Sequence, residues 1–203
     1  MTQFERMING LSHHPGDPEL SKIRAKIKDL LFELNYQTKP SEQQKRQQLL
    51  AEILPHCAEM PHINSPFRCD YGLNIHIGHN FFANFNCTML DNGGIFIGDN
   101  VMLAPNVSFY TVGHPLDLEL RNAGWEHAEP IRIEDNVWIG GNVVVLPGVT
   151  IGKNSVIGAG AVVTKDVPPN VLAFGNPCRV VREINANDRE TYIQRYQVED
   201  IEH

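Results

Sequence analysis

From Ile133 onward an aliphatic residue recurs at every sixth position: Ile133, Ile139, Val145, Ile151, Ile157 and Val163. Four residues after each stand Val137, Val143, Val149, Ser155, Ala161 and Val167. The same register runs through Ile77, Ala83 and Met89, and again through Ile97, Leu103 and Phe109, with a two-residue slip around "DNGGIF" between them. A period of six cannot hold one face of a helix, which turns every 3.6 residues. It fits a parallel β-helix, in which each hexapeptide gives one short strand and one turn, and three of them close a coil. Residues 18 apart then stack, Ile133 under Ile151, Ile139 under Ile157 and Val145 under Val163. Glycine follows Ile97, Ile139, Ile151 and Ile157, and the turns are expected to use glycine or asparagine for backbone with positive φ. The open ends of such a coil expose unpaired strand groups, so the flanking segments are expected to cover them.

Those flanks read as helix and tail. Asp17 followed by Pro18 is a helix start, with an N-cap and a proline in the first turn. Ile23, Ile27, Leu30, Leu31 and Leu34 then share one helical face. A second helix is expected from Ser41, with Gln44 completing a capping box, followed by Leu49, Leu50, Ile53 and Leu54. The expected organisation is a helical region over 1–60, a β-helix over 61–183 with an extruded loop near 110–130, and a tail over 184–203. The net charge of −7 argues against nucleic acid or an anionic membrane as partner. No apolar run nears the roughly 18 residues of a membrane span, and the first residues do not read as a signal peptide. A cytoplasmic protein is expected. Cys57, Cys69, Cys87 and Cys178 show no CxxC pairing and read as reduced thiols.

The rhythm breaks for about two dozen residues at "TVGHPL", and the break carries a histidine, His114. Together with "FRCDYGLNIHIGHNFFANFN", "IGDNVMLAP", "PIRIEDNVWIGGNVVVLPGVTIG" and "VIGAGAVVTKDVPPNVLAFGNPCRVV", this stretch resembles the maltose and galactoside O-acetyltransferase group of the hexapeptide-repeat acyltransferases. The resemblance covers nearly the whole chain. It implies a left-handed coil, a homotrimer with active sites between adjacent β-helices, and transfer of acetyl from acetyl-CoA to a sugar hydroxyl without a metal.

It also implies site residues. His114 matches the family's general base; an imidazole that titrates near neutrality suits proton removal from a weakly nucleophilic hydroxyl. Apart from the resemblance, Glu126 in "GWEHAEP" is a candidate orienting carboxylate for it, with a solvated loop acid as the alternative reading, and a backbone carbonyl would serve equally well. Asn84 matches an acceptor-binding asparagine. Asp17 falls where the family places an acceptor-binding acid, and helix capping explains it as well. Asp70 and Asn92 stand where galactoside-type members have serine and aspartate, and Phe82 where they have tyrosine, which leaves the acceptor open between maltose and galactoside types. Gly141 matches the amide that holds the oxyanion. Ala159 and Thr164 match positions along the pantetheine arm, and Lys165, Arg179 and Arg182 are suited to the CoA phosphates. Trp138 lines the cleft or packs between subunits.

Three other readings remain. A serine or amino-sugar acceptor would keep the fold and the acyl donor. A gamma-class carbonic anhydrase would need His76, His79 and His114 around a zinc ion. A silent scaffold would need neither cofactor nor base.

Overall fold

The computed structural model describes residues 1–198. The repeat folds into a parallel β-solenoid of triangular section. The first face stacks His56–Cys57, Ile75–Ile77, Ile95–Ile97, Ile131–Ile133 and Thr150–Ile151. The second stacks His62–Ile63, Phe82–Ala83, Met102–Leu103, Trp138–Ile139, Val156–Ile157 and Val171–Phe174. The third stacks Arg68–Cys69, Thr88–Leu90, Ser108–Tyr110, Val144–Val145 and Val162–Val163. The expected rungs form: Ile133 pairs with Ile151, Ile139 with Ile157 and Val145 with Val163.

Each leading aliphatic points inward, and the inner column is dry: Ile95, Leu103, Phe109, Ile139, Val145, Ile151 and Val163 are all buried. At about 25 cal/mol per Å² of apolar area, this column is the main source of stability. The first coils are longer than 18 residues, because Ile77 pairs with Ile97 and Met89 with Phe109. The extra residues sit at one corner, 71–74 and 91–94, where Asp91 accepts the N–H groups of Asp70, Tyr71 and Asn74.

The turns correct one expectation. Asn80, Asn100, Asn136, Asn154 and Asn170 supply positive φ at one corner, and their side-chain amides form a ladder with steps of 2.8–3.0 Å. The glycines after the leading residues do something else. A Cβ on Gly140 would lie 2.7 Å from the Ala159 amide nitrogen, so glycine there lets successive coils close up.

Helices α1 (Gln3–Ile8), α2 (Pro18–Phe32) and α3 (Gln43–Ile53) precede the solenoid. Asp17 caps α2, accepting from the amides of Glu19 and Leu20. The α2 helix runs on into one π turn, Glu33–Gln37. Ile27, Leu31, Leu34, Leu50 and Ile53 join the buried cluster of the first coil and close that end. The α3 helix begins later than the sequence suggested. Its N-cap is Glu42, without a side-chain cap bond, because the Glu42 carboxylate turns back to the Lys39 amide. At the other end, Arg179–Glu183 pairs antiparallel with Val171–Phe174, and Cys178 donates to the Val162 carbonyl. The loop after the third face rises as an antiparallel ribbon, Val112–Gly113 with His127–Ala128, carrying the short helix α4 (Leu118–Asn122). The tail forms α5 (Ala186–Tyr196). No helix among the described residues is long and apolar enough to cross a membrane.

Candidate active site

His114 stands on the ribbon, with its side chain 56% exposed. Thr111 anchors the ribbon's foot: its carbonyl accepts from Glu129, and its hydroxyl accepts from Gly93 and donates to the Leu90 carbonyl. The His114 ring lies between two acceptors. Its Nδ1 is 3.4 Å from the Trp125 carbonyl, and its Nε2 is 3.7 Å from Glu126 Oε1. The carboxylate and the backbone carbonyl weighed from the sequence therefore lie beside opposite ring nitrogens. A proton on Nδ1 satisfies the carbonyl and leaves the Nε2 lone pair facing outward beside the carboxylate.

The lengthened corner at 70–74 and 91–94 is acidic and polar. Asp70 is half-buried, and burial raises its carboxyl above the ordinary range while Arg24 and Lys28 oppose the shift. Behind it Asp91 is fully buried, and burial pushes its carboxyl up to about 6 against the pull of its backbone donors. Asn92 is buried with Oδ1 lacking any partner among the described residues. Arg24 donates to the Tyr71 hydroxyl and to the Pro15 carbonyl, and so ties the segment before α2 to the 70–74 corner. Asp17, two residues on, keeps its capping bonds. Sequence reasoning missed His13, which is wholly buried with Nε2 3.6 Å from Glu126 Oε2.

The other named residues lie elsewhere in the chain. Hydrogen bonds between successive coils put Asn84 at the turn from the second face to the third, with Gly141 and Ala159 stacked one above the other on later coils at the same turn. Gly140 spends its amide on Ile157 and Asn142 on Pro105, whereas the Gly141 amide has no partner among the described residues. Asn84 uses Oδ1 to accept from the Phe85 amide. Thr164 and Lys165 follow the last strand of the third face, and Lys165 and Arg179 line one cleft of about 310 Å³ beside Cys178. Arg182 is not in that cleft; it forms a two-pronged ion pair with Asp188 at the start of α5. Trp138 is 49% exposed on the second face, flanked by Met102 and Val156.

His114 and the Gly141 turn thus occupy opposite edges of the third face. On that coil the strand between those edges is Val144–Val145, so one side of the prism separates them. The three histidines considered for zinc do not converge. His76 is stacked between His56 and Phe96, His79 is bonded to Asp99, and no cluster of metal-ligating side chains forms among the described residues. None of the cysteines is set up as a nucleophile, since burial raises the thiols of Cys57 and Cys87 to about 11.

Comparison with known proteins bears on this arrangement. The profile of the maltose acetyltransferase hexapeptide capping motif matches residues 6–58, and that of the bacterial transferase hexapeptide (six repeats) matches 130–165. The chain is 51% identical over 180 residues to the galactoside O-acetyltransferase of Escherichia coli K12, covering 89% of this chain and 88% of that one. It is 53% identical over 175 residues to a putative acetyltransferase of Saccharomyces cerevisiae, covering 86% and 89%. Among solved structures, a maltose O-acetyltransferase from Clostridium difficile 630 superposes with a TM-score of 0.88 at 50% identity, covering 91% of this chain and 98% of that one. A galactoside acetyltransferase in complex with coenzyme A superposes with a TM-score of 0.89 at 49% identity, covering 93% and 94%.

Proposed function

This chain belongs to the maltose and galactoside O-acetyltransferase group of the hexapeptide-repeat acetyltransferases, with acetyl-CoA as acyl donor, and from that premise we propose that it acetylates a sugar hydroxyl with His114 as general base. The acceptor hydroxyl approaches Nε2 of His114 and attacks the thioester carbonyl carbon. As the new C–O bond forms, its proton passes to Nε2. The Gly141 amide donates to the oxyanion, a role worth about 3–4 kcal/mol in other acyl transferases. The C–S bond then breaks, the CoA thiolate takes the proton from His114, and the acetyl ester departs. Glu126 beside Nε2 favours the transient imidazolium. Asp17, Asp70, Asn84 and Asn92 supply acceptors and donors for the sugar's other hydroxyls.

The donor's place follows from the chain's small and basic residues. Gly141 and Ala159 leave a shallow corner for the pantetheine arm, Thr164 adds a hydroxyl, and Lys165 and Arg179 suit the phosphates. Arg182 joins them when it exchanges Asp188 for a phosphate.

One observation carries the assembly: the base and the oxyanion amide stand a full prism side apart in one chain, so a working site needs the ribbon of one copy against the corner of the next. A cyclic homotrimer in the cytoplasm satisfies this, with three equivalent sites. The test is His114→Ala, assayed by release of free thiol from acetyl-CoA with maltose, glucose and a thiogalactoside. Turnover should fall by about 10²–10⁴-fold with the assembly intact. Near-normal kcat in that variant would refute the assignment.

A further inference from the structure

His13 lies far from the hexapeptides in sequence, on the segment between α1 and α2. Its backbone is stitched to the ribbon: the His13 amide donates to the Glu126 carbonyl and the Glu126 amide to the His13 carbonyl, both at 3.0 Å. The next residue repeats the attachment, because the His14 ring rests against Trp125 with centroids 3.8 Å apart. His13 is the only histidine among the described residues that is fully buried, and its Nε2 is enclosed without a hydrogen-bond partner. Such atoms are rare in folded proteins and call for a physical reason.

The reason lies in what Nε2 faces. Glu126 Oε2 is 3.6 Å away, and the other oxygen of the same carboxylate is 3.7 Å from His114 Nε2. The three side chains stand in a row, His13, Glu126, His114. A glutamate reached by one imidazole alone has three side-chain torsions with which to turn away. An enclosed ring on its far side, fixed by two backbone hydrogen bonds, removes that freedom. We propose that His13 is a positioning residue: its Nε2–H holds the Glu126 carboxylate against His114, so the segment before α2 sets the geometry of the base. The inference rests on His114 being the base.

The ring's two nitrogens make the test sharp. Nδ1 faces the Leu11 carbonyl at 3.4 Å, and Nε2 faces Glu126. Asparagine places its amide near the Nδ1 position and glutamine near the Nε2 position. Measured with acetyl-CoA and whichever of maltose or a thiogalactoside turns over faster, His13→Gln should keep kcat within about threefold. His13→Asn should lose roughly tenfold in kcat, the scale on which supporting groups act, with the KM for acetyl-CoA unchanged. In a Glu126→Gln background the same Asn substitution should cost less than about twofold, because coupled residues are not additive. The proposal is overturned if Asn retains kcat while Gln loses it, since the ring would then serve only the Leu11 contact. An equal loss from His13→Asn with and without Glu126 also overturns it. Should His13→Gln fail to assemble, His13→Asn in both Glu126 backgrounds decides; should His13→Asn fail, kcat kept within about threefold in His13→Gln supports the proposal and a roughly tenfold loss there overturns it. A fully active His114→Ala enzyme would instead remove the premise, so the two failures are told apart.

Discussion

The proposed division of the site between neighbouring copies makes a quantitative prediction. His114→Ala removes the proposed base from the ribbon edge of the third face. Ala159→Trp fills the corner at the opposite edge, where Ala159 is exposed and a large ring can be carried without disturbing the inner column. Each variant alone should fall by about 10²-fold or more. Unfolded together in equal amounts and reassembled at random, they form mixed rings. A site is whole when the chain giving the ribbon carries tryptophan at 159 and the chain giving the corner carries alanine at 114. Each condition is met with a probability of one half, so about a quarter of the sites are restored in a closed ring. The prism side that holds strand Val144–Val145 underlies the premise, because it separates the two edges within one chain. Thiol release should therefore return to about a quarter of the wild-type rate per chain, with wild-type protein refolded in parallel as the reference. Activity that stays at the sum of the two variants would refute the division and place each site within one chain.

Two further outcomes concern the scaffold. Asn136, at φ 58° in the middle of the amide ladder, accepts from Asn100 and donates to Asn154. Replacement by alanine removes two hydrogen bonds at about 0.5–1.5 kcal/mol each and the local side-chain bonding that lets asparagine tolerate left-handed backbone, at about 1–2 kcal/mol, so a loss of about 2–5 kcal/mol is expected in urea unfolding. Asn136→Gly should lose about 1 kcal/mol less, and a reversed order would contradict the turn's role. The second outcome concerns pH. Burial raises the Asp91 carboxyl to about 6, above its unfolded value, so the stability linked to its protonated form is full below about pH 4 and is lost as pH rises through 6. The melting temperature of Asp91→Asn relative to wild type should therefore improve between pH 4 and 7; a flat difference would mean the carboxyl is not strained by burial.

Much of this was legible in the sequence because a hexapeptide coil leaves little freedom. Inward positions repeat at fixed spacing, and once Ile133 is placed the partners Ile151 and Ile139 follow. Corners carry no such period. The lengthened corners at 71–74 and 91–94 show only as a slip in register, and the role of Asp91 in holding them cannot be read from spacing. Glycine looked like a turn residue, yet at Gly140 it serves close approach of the next coil, whose Ala159 amide nitrogen would lie 2.7 Å from a Cβ there. The start of α3 was misread because Glu42 competes with Ser41 as the cap and wins through its bond to Lys39. His114 stood out because it sits in the one long break of the repeat. His13 did not, because its partner Glu126 is distant in sequence and their meeting is a tertiary event.

The final lap of the solenoid is short, with Ile157 pairing to Ala173 rather than to a residue 18 positions on, and it is finished by the return strand Arg179–Glu183. A stack of coils held by nearest neighbours frays from its ends, since a terminal coil has one neighbour where an inner coil has two. Lys165 belongs to that terminal lap and Arg179 to the strand that covers it, and the two line one cleft. A polyanion bridging them acts as a rivet through the loose end of the stack. Hydrogen exchange at the amides of 156–183 should then slow on loading with CoA, while the coils below keep the protection they already have. On the proposed reading, the same two cations would serve the donor's tail and the open end of the stack.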